Sequence, residues 1–125
     1  MKEKKKVLIV EDEKSLRDIF VDFLRRETDW EIYEAGDGEE ALVLIKEHLP
    51  DVMVLDLLMP KMDGIFLMKK MEAEKISQKT KIIFLTNSGE LSAIQAVSSP
   101  SVVGYFVKSN IDMREILERI NEELS

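Results

Sequence analysis

Four apolar runs in this sequence of 125 residues are followed directly by side chains that can bind a metal ion or a phosphate group. In chain order these side chains are Glu11 and Asp12, Asp56, Thr86, and Lys108. Because the sequence has no Cys and a single His, a metal site must use oxygen ligands, which favours Mg²⁺, or Mn²⁺ in its place. A divalent cation beside a lysine makes a positively charged pocket around a carboxylate oxygen, and such a pocket suits a phosphoryl group.

The apolar runs that precede these side chains are rich in β-branched residues and do not alternate with polar ones. This pattern predicts parallel strands buried on both faces, over residues 7–10, 52–55, 82–85 and 102–107, with Gly104 inside the last run. A fifth run, residues 31–35, mixes two acids with Ile32 and Tyr33. Its mixed polarity predicts a strand at the edge of a sheet.

Helical patterns lie between the strands. Apolar residues recur every three or four positions in two segments, which predicts two amphipathic helices: Leu16, Ile19, Phe20, Phe23 and Leu24, and then Met113, Ile116, Leu117, Ile120 and Leu124. Weaker patterns predict helices over 38–48, 64–74 and 89–98. Strand and helix therefore alternate five times, which predicts an α/β fold: a doubly wound, five-stranded parallel sheet with five helices on its two faces.

The carboxyl ends of the strands in such a sheet share one edge, where ligands bind. We therefore expect the polar side chains that end the strands to line one pocket. The acids after the first and third runs would share a cation if those two strands are neighbours, since adjacent strands lie about 4.8 Å apart. The other interpretation gives each side chain a separate structural role, as a helix cap, a turn residue or a solvated strand end. Four such endings in order favour the shared pocket.

Length and charge exclude several classes of protein. A chain of 125 residues has room for one domain, here taken as residues 1–125. The net charge of −7 argues against direct binding to nucleic acid, which needs a basic face. No apolar stretch approaches the roughly 20 residues that span a membrane, so we expect no membrane partner and a cytoplasmic location.

The sequence resembles the receiver domain of two-component response regulators, a family that includes the chemotaxis receiver, over essentially its whole length. Residues 7–13, with Leu16 and Arg17, are similar to the family's first strand and acidic pair. Residues 51–64 are similar to its phosphorylation-site block, and residues 84–86 and 104–108 to its Thr and Lys endings. The resemblance implies a flavodoxin-like sheet with the strand order 2-1-3-4-5.

The resemblance also implies how the site is used. Asp56 would accept a phosphoryl group from a phosphohistidine on a sensor histidine kinase or phosphotransfer protein. Mg²⁺ would be held by Asp12, Asp56 and the backbone carbonyl of Leu58, with Glu11 acting through water. The chain would then be a signalling switch that catalyses only its own phosphotransfer and dephosphorylation, rather than a turnover enzyme.

A conformational response is implied as well. Lys108 and Thr86 would contact the phosphoryl oxygens, and the rotamer of Tyr105 would follow Thr86. This change would bias the loop and helix between residues 86 and 107, and a downstream effector or a second copy of the chain would bind the face of the fourth and fifth helices. The apolar residues Leu91, Ile94 and Val97 support such a face, or else pack on the sheet.

Two alternatives remain open at this point. Ser109 stands where the family usually has Pro, and Asn87 where it has a small residue, which keeps open a pseudo-receiver: the same fold used as an interaction module that is independent of phosphorylation. The second alternative is a phosphohydrolase with Asp56 as nucleophile. Such an enzyme normally has a second acid two residues later, and this sequence has Leu58 there, which argues against it.

Overall fold

Five parallel strands form a single sheet in the computed structural model, which describes residues 3–59, 61–87 and 99–125. The strands are β1 (Lys6–Val10), β2 (Glu31–Ala35), β3 (Val52–Asp56), β4 (Lys81–Thr86) and β5 (Val102–Val107). Their order in the sheet is β2-β1-β3-β4-β5. The predicted doubly wound α/β fold and its flavodoxin-like strand order are both confirmed.

Four helices are described: α1 (Lys14–Glu27), α2 (Gly38–His48), α3 (Gly64–Ala73) and α4 (Met113–Leu124). The helix predicted over residues 89–98, with Leu91, Ile94 and Val97, lies outside the described residues. Asp37 and Asp63 cap α2 and α3 by accepting hydrogen bonds of 2.8 Å from the third backbone N–H that follows each of them. None of these helices is long and apolar enough to span a membrane.

The helices cover the sheet on both faces. Residues alternate between the faces along each strand, and in β1 the side chains of Leu8 and Val10 join the core under α2 and α3, whereas Val7 and Ile9 join the core under α1 and α4. Every residue of β3 is buried. The prediction that the inner strands are buried on both faces is therefore confirmed for β1, β3 and β4.

The same prediction is wrong for residues 102–107. All six residues of β5 are at least partly exposed, because β5 forms the second edge of the sheet, opposite β2. An unalternating apolar run is typical of a buried strand but does not show which strand lies at an edge. Edge position is a property of the strand order.

The apolar face of α1 also differs from the prediction at one residue. Phe20, Val21 and Leu24 are buried, whereas the side chain of Ile19 is 56% exposed. Successive residues of an α-helix are about 100° apart around its axis, so Ile19 falls outside the face centred between Phe20 and Val21. The spacing of Ile19 fits a helix, but not the side of the helix that meets the sheet.

We expect Leu24→Ala and Ile19→Ala to differ sharply, although both shorten a branched side chain on α1. Leu24→Ala should lower the free energy of unfolding by about 2–5 kcal/mol, because it leaves a cavity in the core. Ile19→Ala should change it by less than about 0.5 kcal/mol, because the side chain already meets water. Urea denaturation measures both values, and equal losses would contradict the burial described for α1.

Candidate functional site

The acids at the carboxyl ends of β1 and β3 lie together at one edge of the sheet. β1 and β3 are hydrogen-bonded neighbours, with Val10 opposite Leu55, so Glu11 and Asp12 continue the chain beside Asp56. Each of the three carboxyl groups offers an oxygen, and these oxygens lie within 4.8 Å of one another. The condition on which the predicted shared site depended, that the first and third strands are neighbours, is met.

Lys108 reaches this cluster from the end of the edge strand β5. It follows β5, which is separated from β3 by β4, and its side chain crosses that distance. Its ammonium nitrogen Nζ lies 2.8 Å from Asp56 Oδ2 and 2.8 Å from Glu11 Oε1. One lysine therefore holds a carboxylate from each of two neighbouring segments.

The site carries an excess of negative charge. Three carboxylates against one ammonium group leave a charge of −2 when all are ionised. Glu11 and Asp56 are almost completely buried, while Asp12 is exposed. Burial raises the pKa of Asp56 to about 8; the hydrogen bond from Lys108 opposes this rise, and the negative charge of Glu11 adds to it. Without a cation, Asp56 is therefore protonated in a large part of the molecules at neutral pH.

The pKa of Asp12 is lowered and that of Lys108 is raised, so both shifts favour the charged form. Burial alone would raise the pKa of Asp12, but hydrogen bonds with Glu11 and Asp56 and the charge of Lys108 bring it below its ordinary value. Burial alone would lower the pKa of Lys108, but its hydrogen bonds with Asp56 and Glu11 raise it. Lys108 and Asp12 thus stay charged at neutral pH, and Asp56 is the group whose pKa burial raises.

The donor set fits a hard divalent cation. Its ligands are carboxylate oxygens, which Mg²⁺ and Mn²⁺ prefer. Glu11 Oε1 is buried and faces the Lys108 ammonium group, 2.8 Å away. One ammonium group does not neutralise three carboxylates, and a divalent cation would supply the missing positive charge. Glu11, Asp12 and Asp56 are the residues that would hold such an ion.

The structure places the other predicted site residues around this cluster. Thr86 ends β4 next to β3 and is buried, and its hydroxyl donates a hydrogen bond of 3.0 Å to the carbonyl of Asn87. Leu58 lies in the turn two residues after Asp56, with its side chain 58% exposed. Tyr105 lies in β5 and is 44% exposed. The predicted roles of these three residues remain predictions.

The turn after Asp56 is held close to the strand ends. Leu57 N–H donates a hydrogen bond of 2.9 Å to the carbonyl of Leu85, and Gly64 N–H donates one of 2.8 Å to the carbonyl of Leu57. A Cβ atom on Gly64 would lie 2.6 Å from the carbonyl oxygen of Asp56, so only glycine fits there. The sequence indicated Gly64 as a helix start, but gave no signal for this close approach.

Lys108 and His48 lie at opposite edges of the sheet. The described residues contain no cis peptide bond, so the bond from Lys108 to Ser109 is trans, and residues Lys108–Asn110 form a single 3₁₀ turn. His48 lies at the end of α2, where its ring stacks on Tyr33 with 4.1 Å between ring centroids. Its backbone carbonyl accepts a hydrogen bond from Lys6, which begins β1, so it lies at the opposite edge of the sheet from the acids.

The raised pKa of Asp56 predicts that Asp56→Asn stabilises the metal-free protein. The folded state binds more protons than the unfolded state between about pH 4 and pH 8, so wild-type stability falls as pH rises through that window. The asparagine side chain does not ionise, so the stability of the variant should not fall in this way. At pH 7 its free energy of unfolding should exceed that of the wild type by on the order of 2 kcal/mol, measured by urea denaturation.

Asp51→Asn, at the other end of β3, is the matched control with the opposite sign. Burial alone would raise the pKa of Asp51, but hydrogen bonds from the Lys6 backbone and the Lys79 side chain lower it. Its contribution to stability is present above its unfolded pKa and is lost in acid. Asp51→Asn should therefore destabilise at pH 7, and a similar loss for Asp56→Asn would contradict the raised pKa.

Known proteins are similar to this chain in sequence and in fold. Sporulation initiation phosphotransferase F from Bacillus subtilis is 30% identical over 119 residues, which cover 95% of this chain and 93% of that protein. Transcriptional regulatory protein PdtaR from Mycobacterium tuberculosis is 33% identical over 104 residues, 83% of this chain but 49% of that protein, so this chain spans about half of it. The solved receiver domain of the Francisella response regulator 1452 has a TM-score of 0.81 at 27% identity, with 96% of each chain covered.

The response regulator receiver domain, as a sequence family, matches residues 7–121. This range includes all five strands except the first residue of β1, together with every acid of the cluster and Lys108. Strand order and sequence therefore lead to the same conclusion. The chain belongs to the response regulator receiver domain family of two-component signal transduction.

Proposed function

We propose that this chain accepts a phosphoryl group on Asp56 and changes conformation in response. Receiver domains interact with histidine kinases or phosphotransfer proteins, and the donor proposed here is a phosphohistidine on such a protein. The observation that carries the proposal is the position of the Asp56 carboxyl group, buried at a strand end between Lys108 and the acidic pair Glu11–Asp12. The name of the Bacillus subtilis relative, a phosphotransferase, supports the same chemistry.

The transfer needs an ionised nucleophile and a positive environment for the phosphoryl oxygens. A carboxylate oxygen of Asp56 attacks phosphorus, the phosphorus–nitrogen bond of the phosphohistidine breaks, and the electron pair of that bond stays on the imidazole, which takes up a proton. Lys108 Nζ, 2.8 Å from Asp56 Oδ2, is placed to pair with the incoming phosphoryl oxygens. Thr86, at the end of the neighbouring strand, would donate a hydrogen bond to them.

The acids support the same step through a divalent cation. Receiver domains typically bind Mg²⁺. In this chain Asp12, Asp56 and the backbone carbonyl of Leu58 would hold it, with Glu11 acting through water, and Mn²⁺ would serve in its place. When bound, the ion neutralises negative charge on the carboxylates and on the phosphoryl oxygens. Asp56 would then release the proton that it otherwise retains.

The proposed product is a signal rather than a released metabolite. A phosphoryl group adds negative charge beside Thr86 and Lys108, which would draw both side chains toward it and shift Tyr105 in β5. The chain would thus catalyse only its own phosphotransfer and dephosphorylation, in the cytoplasm, and signal to a downstream effector or a second copy of itself. The proposed contact face includes α4 and residues 89–98, which lie outside the described residues.

We expect the affinity for Mg²⁺ to rise with pH up to about pH 8. The ion binds ionised carboxylates, and Asp56 is protonated below its raised pKa, so the ion must displace a proton at lower pH. Calorimetric titration should show up to about tenfold tighter binding per pH unit between pH 6 and pH 8. Asp56→Asn should weaken binding and remove this pH dependence, whereas Asp51→Asn should leave both unchanged. An affinity that is independent of pH would contradict the assignment of Asp56.

Acetyl phosphate tests the acceptor directly. Incubated with acetyl phosphate and Mg²⁺, the wild-type chain should gain the mass of one phosphoryl group in intact-mass spectrometry, because Asp56 is held beside Lys108 and the acidic pair. Asp56→Asn should gain none, and Asp51→Asn should be modified as the wild type is. A wild-type chain that gains no mass, with either acetyl phosphate or a phosphorylated kinase as donor, would favour the pseudo-receiver interpretation instead.

A further inference from the structure

Arg17 connects the acidic pair to the neighbouring strand β2. Its side chain leaves α1 and is only 15% exposed. The nitrogen Nη1 donates a hydrogen bond of 2.8 Å to the backbone carbonyl of Glu11, and Nε donates one of 3.1 Å to Glu34 Oε1 in β2. The guanidinium group thus binds the main chain immediately before Asp12.

This contact restricts the backbone on one side of Asp12. The peptide group that joins Glu11 to Asp12 is planar, so holding its carbonyl oxygen also holds the nitrogen and Cα of Asp12. On the other side, Glu13 N–H donates a hydrogen bond of 3.0 Å to Glu11 Oε2. Asp12 therefore lies between two restrained peptide groups, although its own side chain is exposed. These two bonds restrict the backbone of Asp12 and therefore the direction of its Cα–Cβ bond.

The position of the guanidinium group is itself closely restricted. Glu34 binds it from β2, and Gly36 lies against its end: a Cβ atom on Gly36 would be 2.8 Å from Arg17 Nη1. The planar group with its fixed donors can bind the Glu11 carbonyl and Glu34 together, which a lysine ammonium at the same place cannot do with the same geometry. Two segments of the chain, the end of β1 and residues 34–36, thus hold the Arg17 side chain behind the acidic pair.

We propose that Arg17 is a positioning residue for the cation site: through the Glu11 carbonyl it orients the Asp12 carboxylate toward Asp56. This inference rests on the proposed function, since it concerns the same ion. Within the part of the chain that the structure describes, Arg17 makes no hydrogen bond to the carboxylates of Glu11, Asp12 or Asp56, so its effect on the ion would pass through the main chain. Partners of metal ligands that act in this way typically contribute 10–100-fold to metal affinity.

A general structural role for Arg17 predicts something different. In that case Arg17 would only connect α1 to β2, and losing it would lower stability without a specific effect on the site. Arg25 offers a matched comparison, because it lies on the same helix and its Nη2 donates a hydrogen bond of 3.1 Å to the carbonyl of Ile32, also in β2. It makes no such bond near the acids.

The experiment compares Arg17→Met with Arg25→Met by calorimetric titration with Mg²⁺ alone, at a temperature where circular dichroism shows both folded. Methionine keeps the apolar stem of the side chain and removes its donors. We expect Arg17→Met to weaken Mg²⁺ binding at least about tenfold and Arg25→Met to change it less than about twofold. Arg17→Lys should lie between the wild type and Arg17→Met.

Phosphorylation by acetyl phosphate gives a second measurement. In Arg17→Met the Mg²⁺ concentration that gives the half-maximal rate should rise by the factor by which Mg²⁺ binding weakens. The rate at saturating Mg²⁺ should approach that of the wild type. Gly36→Ala keeps Arg17 but displaces its guanidinium group, so it should weaken Mg²⁺ binding in the same direction. If Arg17→Met does not fold, Gly36→Ala tests the inference in its place.

The outcomes separate this inference from the function on which it rests. Wild-type affinity for Mg²⁺ in Arg17→Met, or equal losses in the two arginine variants, would overturn the positioning role and leave the proposed function intact. A wild-type chain that binds no Mg²⁺ at all would overturn both.

Discussion

Three carboxyl groups beside one lysine, two of them buried, are the interaction on which the rest of this structure depends. Charges of the same sign repel strongly where water is excluded, so ionising Asp56 beside Glu11 and Asp12 costs free energy unless a further positive charge is present. The metal-free protein meets this by keeping a proton on Asp56. In the proposed function a divalent cation would replace this proton and leave the carboxylate free to attack phosphorus. The same imbalance of charge would then account for both the proposed metal binding and the proposed reactivity of Asp56.

The sheet holds these charges together against their repulsion. The central strands are buried on both faces, and the apolar side chains of β1, β3 and β4 contribute the cores that hold the strand ends in place. The cost of assembling the site is therefore carried by parts of the molecule that take no part in the chemistry. Flexibility at the site would allow the carboxylates to separate and meet water, and their reactivity would be lost.

Main-chain contacts give the site its finer geometry. Gly64 allows α3 to begin against the carbonyl of Asp56, and Arg17 binds the carbonyl of Glu11. Neither residue offers a ligand to the ion or an oxygen to the phosphoryl group. Both act on peptide groups next to the reactive carboxylates, where a shift of a few tenths of an ångström changes the direction of a side chain. The positioning role proposed for Arg17 depends on such a main-chain contact.

The sequence by itself determined the alternation of strands and helices, the acids and the lysine that end the strands, and, through the family resemblance, the strand order. It did so because hydrophobic periodicity and strand-end polarity are local features, which short stretches of residues carry. Tertiary structure alone decided that β5 is an exposed edge, that Ile19 faces water, that one lysine bridges Glu11 and Asp56, and that Arg17 reaches a carbonyl. These features depend on which distant segments become neighbours, and no local pattern records that.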